Sequence, residues 1–166
     1  DPALTVTALI NAARLAARNH DPRTAETLLT EAAGLVRTLP ASHDKAYHLL
    51  AIGQLQRTLP GASAPQRTQT AQDNFTAAAT LARQLNDQRS LSYALGYQAQ
   101  WRQDSSHPAE ALALYRQAAF AAQQADAPEL LYRWQWQIGR LLKTQGDRDG
   151  AILAYQQAAA HLQAIR

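Results

Sequence analysis

Cysteine is absent from the 166 residues, so the chain has no disulfide framework, no thiolate metal ligand and no cysteine nucleophile. Methionine is absent as well. Asp1 therefore does not follow a retained initiator, and the sequence is expected to be a processed product or an excerpt of a longer chain. No apolar run approaches the roughly 20 residues that cross a bilayer, and no signal-type segment is expected ahead of Asp1. The expectation is a soluble domain without membrane contact, whose compartment (cytoplasm, periplasm or secreted) is open. β-branched residues are sparse and never alternate with polar ones over a useful length, which argues against strands. Charge of either sign is modest: 16 Lys and Arg against 13 Asp and Glu give +3, too small a surplus to argue for nucleic acid or an anionic membrane.

What is present is repetition. A small residue inside an apolar helical segment recurs as Ala13, Gly53, Gly96 and Gly139. A second series, Ala25, Ala71, Ala111 and Ala151, is followed four residues later by Leu29, Phe75, Tyr115 and Tyr155, and seven residues later by Ala32, Ala78, Ala118 and Ala158. Offsets of four and seven share one helical face, so each unit pairs a first helix with a second that carries a small, large, small ridge. A period near 40 residues implies a solenoid.

Punctuation agrees. Asp21-Pro22 and His107-Pro108 put proline in a first helical turn, Pro40 and Pro60 follow apolar runs, and Gly146-Asp147 supplies a stop and then a cap. The pattern predicts helices over 4–18, 22–38, 43–58, 66–86, 89–103, 109–125, 129–145 and 148–165. The fold class is all-α, with eight helices in four hairpins (about 4–38, 43–86, 89–125 and 129–165) forming one domain over 1–166. Leu59 to Gln66 reads as a loop insertion within the second hairpin.

The last unit carries Ile138-Gly139, Leu142, Gln145-Gly146-Asp147, Ala151-Ile152, Tyr155 and Ala158, and resembles the tetratricopeptide (TPR) repeat. The third keeps Leu95-Gly96, Ala111-Leu112, Tyr115 and Ala118 with three extra residues assigned to its turn, and the first has Ala13 where glycine is usual. The stretch from Ser92 to Arg166, with YALGY at Tyr93 to Tyr97 and YRWQWQIGRLLKTQGD at Tyr132 to Asp147, resembles the repeats preceding the caspase-like domain of bacterial CHAT proteins. The resemblance implies a right-handed α-α superhelix acting as a protein-interaction module. It transfers no catalytic residue, because in such proteins the His and Cys lie in a later domain.

Helical geometry of about 100° per residue groups offsets −6, −3, +1, +4 and +5 from each small residue into one stripe. From the first two units it takes Thr7, Ile10, Arg14, Ala17 and Arg18, then Tyr47, Leu50, Gln54, Arg57 and Thr58. The third gives Ser90, Tyr93, Tyr97, Gln100 and Trp101, and the fourth Arg133, Trp136, Arg140, Lys143 and Thr144. Similarity to TPR domains implies that this stripe is a concave ligand groove. Six of its residues are basic and none is acidic. Guanidinium forks bind carboxylates, and Tyr and Trp give flat contact at low entropic cost, so the expected ligand is an acidic peptide or a free C-terminus. The competing reading is that the aromatics pack the stack and the Arg side chains lie over them. Trp134 is the expected structural indole and Trp136 the groove residue.

No cofactor or metal is expected. His20, His43, His48, His107 and His161 show no i, i+4 metal pair, and Asp147 to Gly150 lacks the third acidic ligand and distal Glu of a calcium loop. There is no GxSxG elbow and no phosphate loop, and Glu26, Glu31 and Glu110 fall on solvated faces or helix starts, so no enzyme activity is expected. Two other partner classes stand beside the peptide: RNA, since basic and aromatic helical faces stack bases, and a second copy through the terminal helix, where Ile152, Leu153, Tyr155, Leu162 and Ile165 lie without a polar cap helix.

Overall fold

The computed structural model describes residues 1–60 and 64–165, the side chains of residues 64 and 65 excepted. Among the described residues it is all helix: α1 (Pro2–Arg18), α2 (Pro22–Thr38), α3 (His43–Thr58), α4 (Ala64–Gln84), α5 (Gln88–Asp104), α6 (Pro108–Gln124), α7 (Pro128–Thr144) and α8 (Arg148–Ala164). The chain divides into two compact units, Asp1–Leu85 and Asn86–Arg166, each of two antiparallel hairpins.

Seven of the eight helices, α4 excepted, start where a side chain or a proline deals with orphan N–H groups. Asp1, Asp21, Ser42, Asp87 and Asp147 accept from backbone N–H groups of α1, α2, α3, α5 and α8 at 2.9–3.1 Å. Helices α6 and α7 have no side-chain cap and begin with Pro108 and Pro128 instead, with Glu110 and Glu129 in the first turn. Two terminators end the helices. Before Pro40 and Pro60, Leu39 and Leu59 turn extended, as the proline ring requires of its predecessor. Elsewhere a left-handed residue reverses the chain: His20, Asn86, Ser106, Asp126 and Gly146 have φ between 47° and 86°. Asn86 therefore lies outside α4, which was expected to run to residue 86. Of the loop expected over Leu59 to Gln66, Gly61 to Ser63 lie outside the described residues, and α4 begins two residues earlier than predicted, at Ala64.

The turns α1–α2, α5–α6 and α7–α8 are the same structure. In each, the residue before the second helix returns its N–H five residues back: Asp21 to Ala16, His107 to Arg102 and Asp147 to Leu142, at 2.9–3.0 Å. This fixes the register of the first helices. Each ends five residues beyond its small residue: Arg18 after Ala13, Thr58 after Gly53, Thr144 after Gly139. By the same rule Asp104 points to Ala99, not Gly96. The three residues assigned to the third turn are instead helical, and Gly96 sits almost one turn early in α5.

Unit 1 packs α1 against α2 and α3 against α4, with Val6, Ile10, Leu29, Val36, Ile52 and Phe75 inside. The Phe75 ring lies where a Cβ on Gly53 would be, 2.6 Å from Cε1. At the corresponding place in the first hairpin the large residue is only Leu29, and Ala13 is accommodated. His48 of α3 reaches α1: its Nε2 lies 3.0 Å from Thr7 Oγ1, whose own proton goes to the Ala3 carbonyl. Arg67, buried, donates to the Leu59 carbonyl at 2.8 Å and pairs with Glu26 at 3.2 Å, tying α4 to α2 and to the end of α3.

Unit 2 is organised around Trp134, which is wholly buried. Its Nε1 donates to Ser92 Oγ at 2.9 Å, and Ser92 donates onward to the Ala118 carbonyl at 2.8 Å. Tyr115 lies 6.1 Å away between ring centroids. Gly96 is the notch for this indole, since a Cβ there would come within 2.3 Å of Cζ2 and Cη2. The close partner of Gly96 thus comes from the next hairpin, whereas Gly139 faces Tyr155 of its own.

Candidate ligand-binding site

Counting from the register residues Ala13, Gly53, Ala99 and Gly139, the stripe in the third hairpin becomes Tyr93, Gly96, Gln100, Gln103 and Asp104. Ser90 leaves it and is buried. Trp101 moves to offset +2, where α7 has buried Leu141, and its ring carries the Arg102 guanidinium 4.6 Å from its centroid. Tyr97 falls just beside the stripe. A stripe expected to hold no acid acquires exposed Asp104, and it gains Gln103, whose Oε1 accepts from the Tyr115 hydroxyl at 3.1 Å.

In unit 2 the structure brings Tyr93, Tyr97 and Arg133 together across α5 and α7. Arg133 Cζ lies 5.1 Å from the Tyr97 centroid and 4.8 Å from that of Trp134, so a cation is held over two ring faces. Tyr93 and Tyr97 are 5.9 Å apart. Burial, and then the neighbouring Tyr97, push the Tyr93 phenol above its usual pKa, so it stays a neutral hydrogen-bond donor. Arg140 and Lys143 follow along α7, both exposed. Arg133, Arg140 and Lys143 make no ion pair among the described residues. Trp136, 45% exposed, lies with its ring centroid 5.0 Å from that of Tyr155, the two planes tilted by 57°.

In unit 1 the candidates are less concentrated. Arg14 is exposed and donates to Asn11 Oδ1 at 3.2 Å, and Arg18 is exposed at the end of α1. Tyr47 stands out into solvent, edge-on to His48. Gln54 and Arg57 are half-buried on α3. Gln54 and Gln100 share a feature that spacing alone did not show. Both occupy offset +1, and in both the side-chain amide oxygen is buried without a hydrogen-bond partner. Counting back 12 residues from Ala111, as Ala13 stands from Ala25 and Gly139 from Ala151, would have revealed the equivalence.

No protein-family model matches the chain, and no curated protein does. Solved structures do. BtubC from P. vanneervenii superposes with a TM-score of 0.79 at 17% identity over 99% of this chain, which spans 65% of that one. A putative kinesin light chain of nearly identical TPR-like repeats from Podosopora anserina gives 0.74 at 16% identity, covering 99% of this chain and 78% of that one. The fold is that of a TPR-like helical repeat. MamA, at 0.64 and 15% identity, covers 96% of this chain and 79% of its own. Among the described residues of this TPR-like chain, no helix is long and apolar enough to cross a membrane, and no three His, Asp or Glu side chains are grouped to hold a metal ion.

Proposed function

We propose that the chain is a non-catalytic scaffold, its four hairpins one working repeat domain, and that it binds an extended peptide bearing acidic side chains or a free carboxylate. The observation that carries this reading is Arg133, held over the faces of Tyr97 and Trp134 without an acidic partner. Stacking fixes the guanidinium plane in advance, so less side-chain freedom is lost when a carboxylate arrives. Arg140 and Lys143 extend the positive strip, and the Tyr93 hydroxyl offers a neutral donor beside it.

The unpaired amide oxygen of Gln100 supports a peptide ligand. A buried acceptor without a donor costs about 1–3 kcal/mol, and a backbone N–H of an extended segment would remove that cost. Gln54 offers the same group in unit 1. The likeness of Ser92 to Arg166 to repeats ahead of a caspase-like domain fits a scaffold that presents partners to a catalytic module elsewhere in a longer protein.

The test is a panel of fluorescent peptides with acidic, neutral or basic side chains and with free or amidated C-termini. Acidic or free-carboxylate peptides are expected to bind best. Replacing Arg133→Glu with Arg140→Glu is expected to weaken them at least about tenfold, as charge-assisted hydrogen bonds of about 1.5–3 kcal/mol would require. Equal affinity across the panel, or no loss in the double variant, would overturn the reading.

A further inference from the structure

Helices α6 and α8 do not touch; α7 lies between them, and the space they leave is a trough with a cavity of about 530 Å³. Its floor is Leu131, Gln135, Ile138 and Leu142 of α7, one residue per helical turn, so it runs lengthwise for about 16 Å at 1.5 Å per residue. These four lie on the face of α7 opposite the stripe of Arg133 and Arg140. Phe120 of α6 and Leu153 of α8 stand on the two walls, 64% and 56% exposed. Arg116 is one turn from Phe120, exposed and without an ion pair among the described residues.

Unit 1 has the same trough, between α2 and α4 over α3, and fills it differently. Counting from Ala25 and Ala71, Phe120 corresponds to Gly34 and Leu153 to Asp73; counting from Gly53, Leu131 and Leu142 correspond to Lys45 and Gln56. Lys45 donates from Nζ to the Leu39 carbonyl at 2.6 Å and the Arg37 carbonyl at 3.2 Å, and Gln56 accepts from Asn74 Nδ2 at 2.9 Å. The unit 1 trough thus pairs its own polar groups and exposes no large apolar side chain among the described residues. The exposure in unit 2 does not come from where the sequence ends. Gly34 and Phe120 share one position, and both are exposed although another hairpin follows; Thr27 and Ala113, the counterparts of Leu153 in α2 and α6, are exposed in the same circumstances. The fold accepts Gly34 and Asp73 at these places, so packing does not require Phe120 and Leu153. Apolar side chains gathered in one exposed groove mark an interaction site.

Shape, polar groups and charge together name the occupant. Buried Ala119 and Ala154 line the walls beside Ile138 and Leu142, and Gln123, Gln157 and His161 stand around them, an apolar centre within a polar margin. On the other face, the Gln100 amide oxygen is buried without a partner, a group that a peptide N–H would satisfy; among the described residues no polar side-chain atom of the trough is left in that state. The trough therefore asks nothing of a ligand's backbone. It suits a segment whose N–H and C=O groups are already paired, an α-helix, whose apolar side chains recur at the same one-per-turn spacing as the floor. The ionisable side chains of the trough are Arg116, Asp147 and His161; Asp147 caps α8, which leaves Arg116 as the charge to be met. We infer that a helix of a partner protein docks lengthwise in this trough, setting large aliphatic side chains between Phe120 and Leu153 and a carboxylate against Arg116. The surface is separate from that proposed for the acidic peptide, so one chain holds two partners at once.

The probe is an alanine-based synthetic helix of about four turns, with leucine at i, i+4 and i+7 and glutamate flanking that stripe, labelled for fluorescence anisotropy. It is expected to bind saturably and to shift the backbone amide NMR signals of α6, α7 and α8 around Phe120, Gln135 and Leu153. Phe120→Ser with Leu153→Ser is expected to weaken it at least about tenfold, as loss of two large apolar contacts requires. Both side chains are exposed, so circular dichroism should show the variant folded. Arg116→Glu is expected to weaken the glutamate helix and to favour the same helix carrying lysine instead. Arg133→Glu with Arg140→Glu is expected to leave helix binding unchanged while weakening acidic peptides, so this inference and the proposed ligand fail separately. The inference is overturned if the helix does not bind, if versions with glutamine for leucine or with a central proline bind equally well, if Arg116→Glu leaves the charge preference as it was, or if the NMR changes fall on Tyr93 and Arg133 instead. A dimer of the free chain in sedimentation velocity that Phe120→Ser with Leu153→Ser dissolves would also overturn it, because a second copy would then be the occupant.

Discussion

Replacing Gly96→Ala sets two opposed effects against each other. In a helix interior alanine is favoured over glycine by about 1 kcal/mol. At Gly96, however, the new methyl would stand 2.3 Å from Cζ2 and Cη2 of Trp134 and 2.6 Å from Cε2, against an ordinary separation of about 3.5–4.0 Å. The indole would have to retreat by more than about 1 Å to restore that spacing. It has no free direction: the ring is wholly buried, its N–H is committed to Ser92, and Tyr115 lies beyond. Overpacking of this kind costs about 1–3 kcal/mol, and disturbing the buried N–H bond adds about 1. The net expectation is a loss of about 2 kcal/mol. Gly34→Ala is the control, because a Cβ there meets nothing within 4 Å, and it should stabilise by up to about 1 kcal/mol. Urea unfolding followed by far-UV circular dichroism reads both. In a double-mutant cycle, Trp134→Phe removes the benzo-ring atoms in the way and should recover about 1 kcal/mol or more of the Gly96→Ala loss. If Gly96→Ala stabilises as Gly34→Ala does, or if the cycle shows no coupling, Gly96 is not a notch and the register of α5 is wrong.

Two further expectations concern unit 1 and the last hairpin. Burial lowers the pKa of His48 below its usual value of 6.5, with Asp44 opposing the shift; with Nε2 spent on Thr7, a second proton would go to Nδ1, which is buried without a partner. The folded state thus disfavours the charged ring, so stability is fully present above pH 6.5 and is lost as pH falls through the lowered pKa. His48→Gln should flatten this acid limb in urea midpoints measured from neutral to mildly acidic pH, and an unchanged slope would assign it elsewhere. Asp147→Ala removes the acceptor 2.9 Å from the Gly150 N–H at the start of α8 and should cost about 1 kcal/mol. Asp147→Asn, which keeps an acceptor, should recover most of it in the same assay.

The helices were legible because their ends are written in local chemistry. Asp21-Pro22, Ser42, His107-Pro108 and Gly146-Asp147 each act within a few residues, and α2 and α3 fall on their predicted bounds. The third register was not legible. A glycine within a helix reports that something comes close, but not which element comes. Gly53 and Gly139 face the ring of their own hairpin, whereas the neighbour of Gly96 is 38 residues on, in α7. Ala99, the true counterpart, carries no signal beyond its distance from Ala111. At the candidate site the cationic side chains of α7 were visible as a pattern, whereas the stacking of Arg133 on Tyr97 depends on α5 and α7 lying side by side.

Four of the five left-handed turn residues, His20, Asn86, Ser106 and Asp126, are not glycine. A side chain in that conformation costs about 1–2 kcal/mol, less for Asn and Asp, so the His20, Ser106 and Asp126 bends are held in place by the packing of α1 on α2, α5 on α6 and α6 on α7 rather than by the bend itself. Under a pulling force, such joints are loaded springs. The chain would yield by opening at them one hairpin after another, and the Gly146 bend, which carries no such tension, would hold longest.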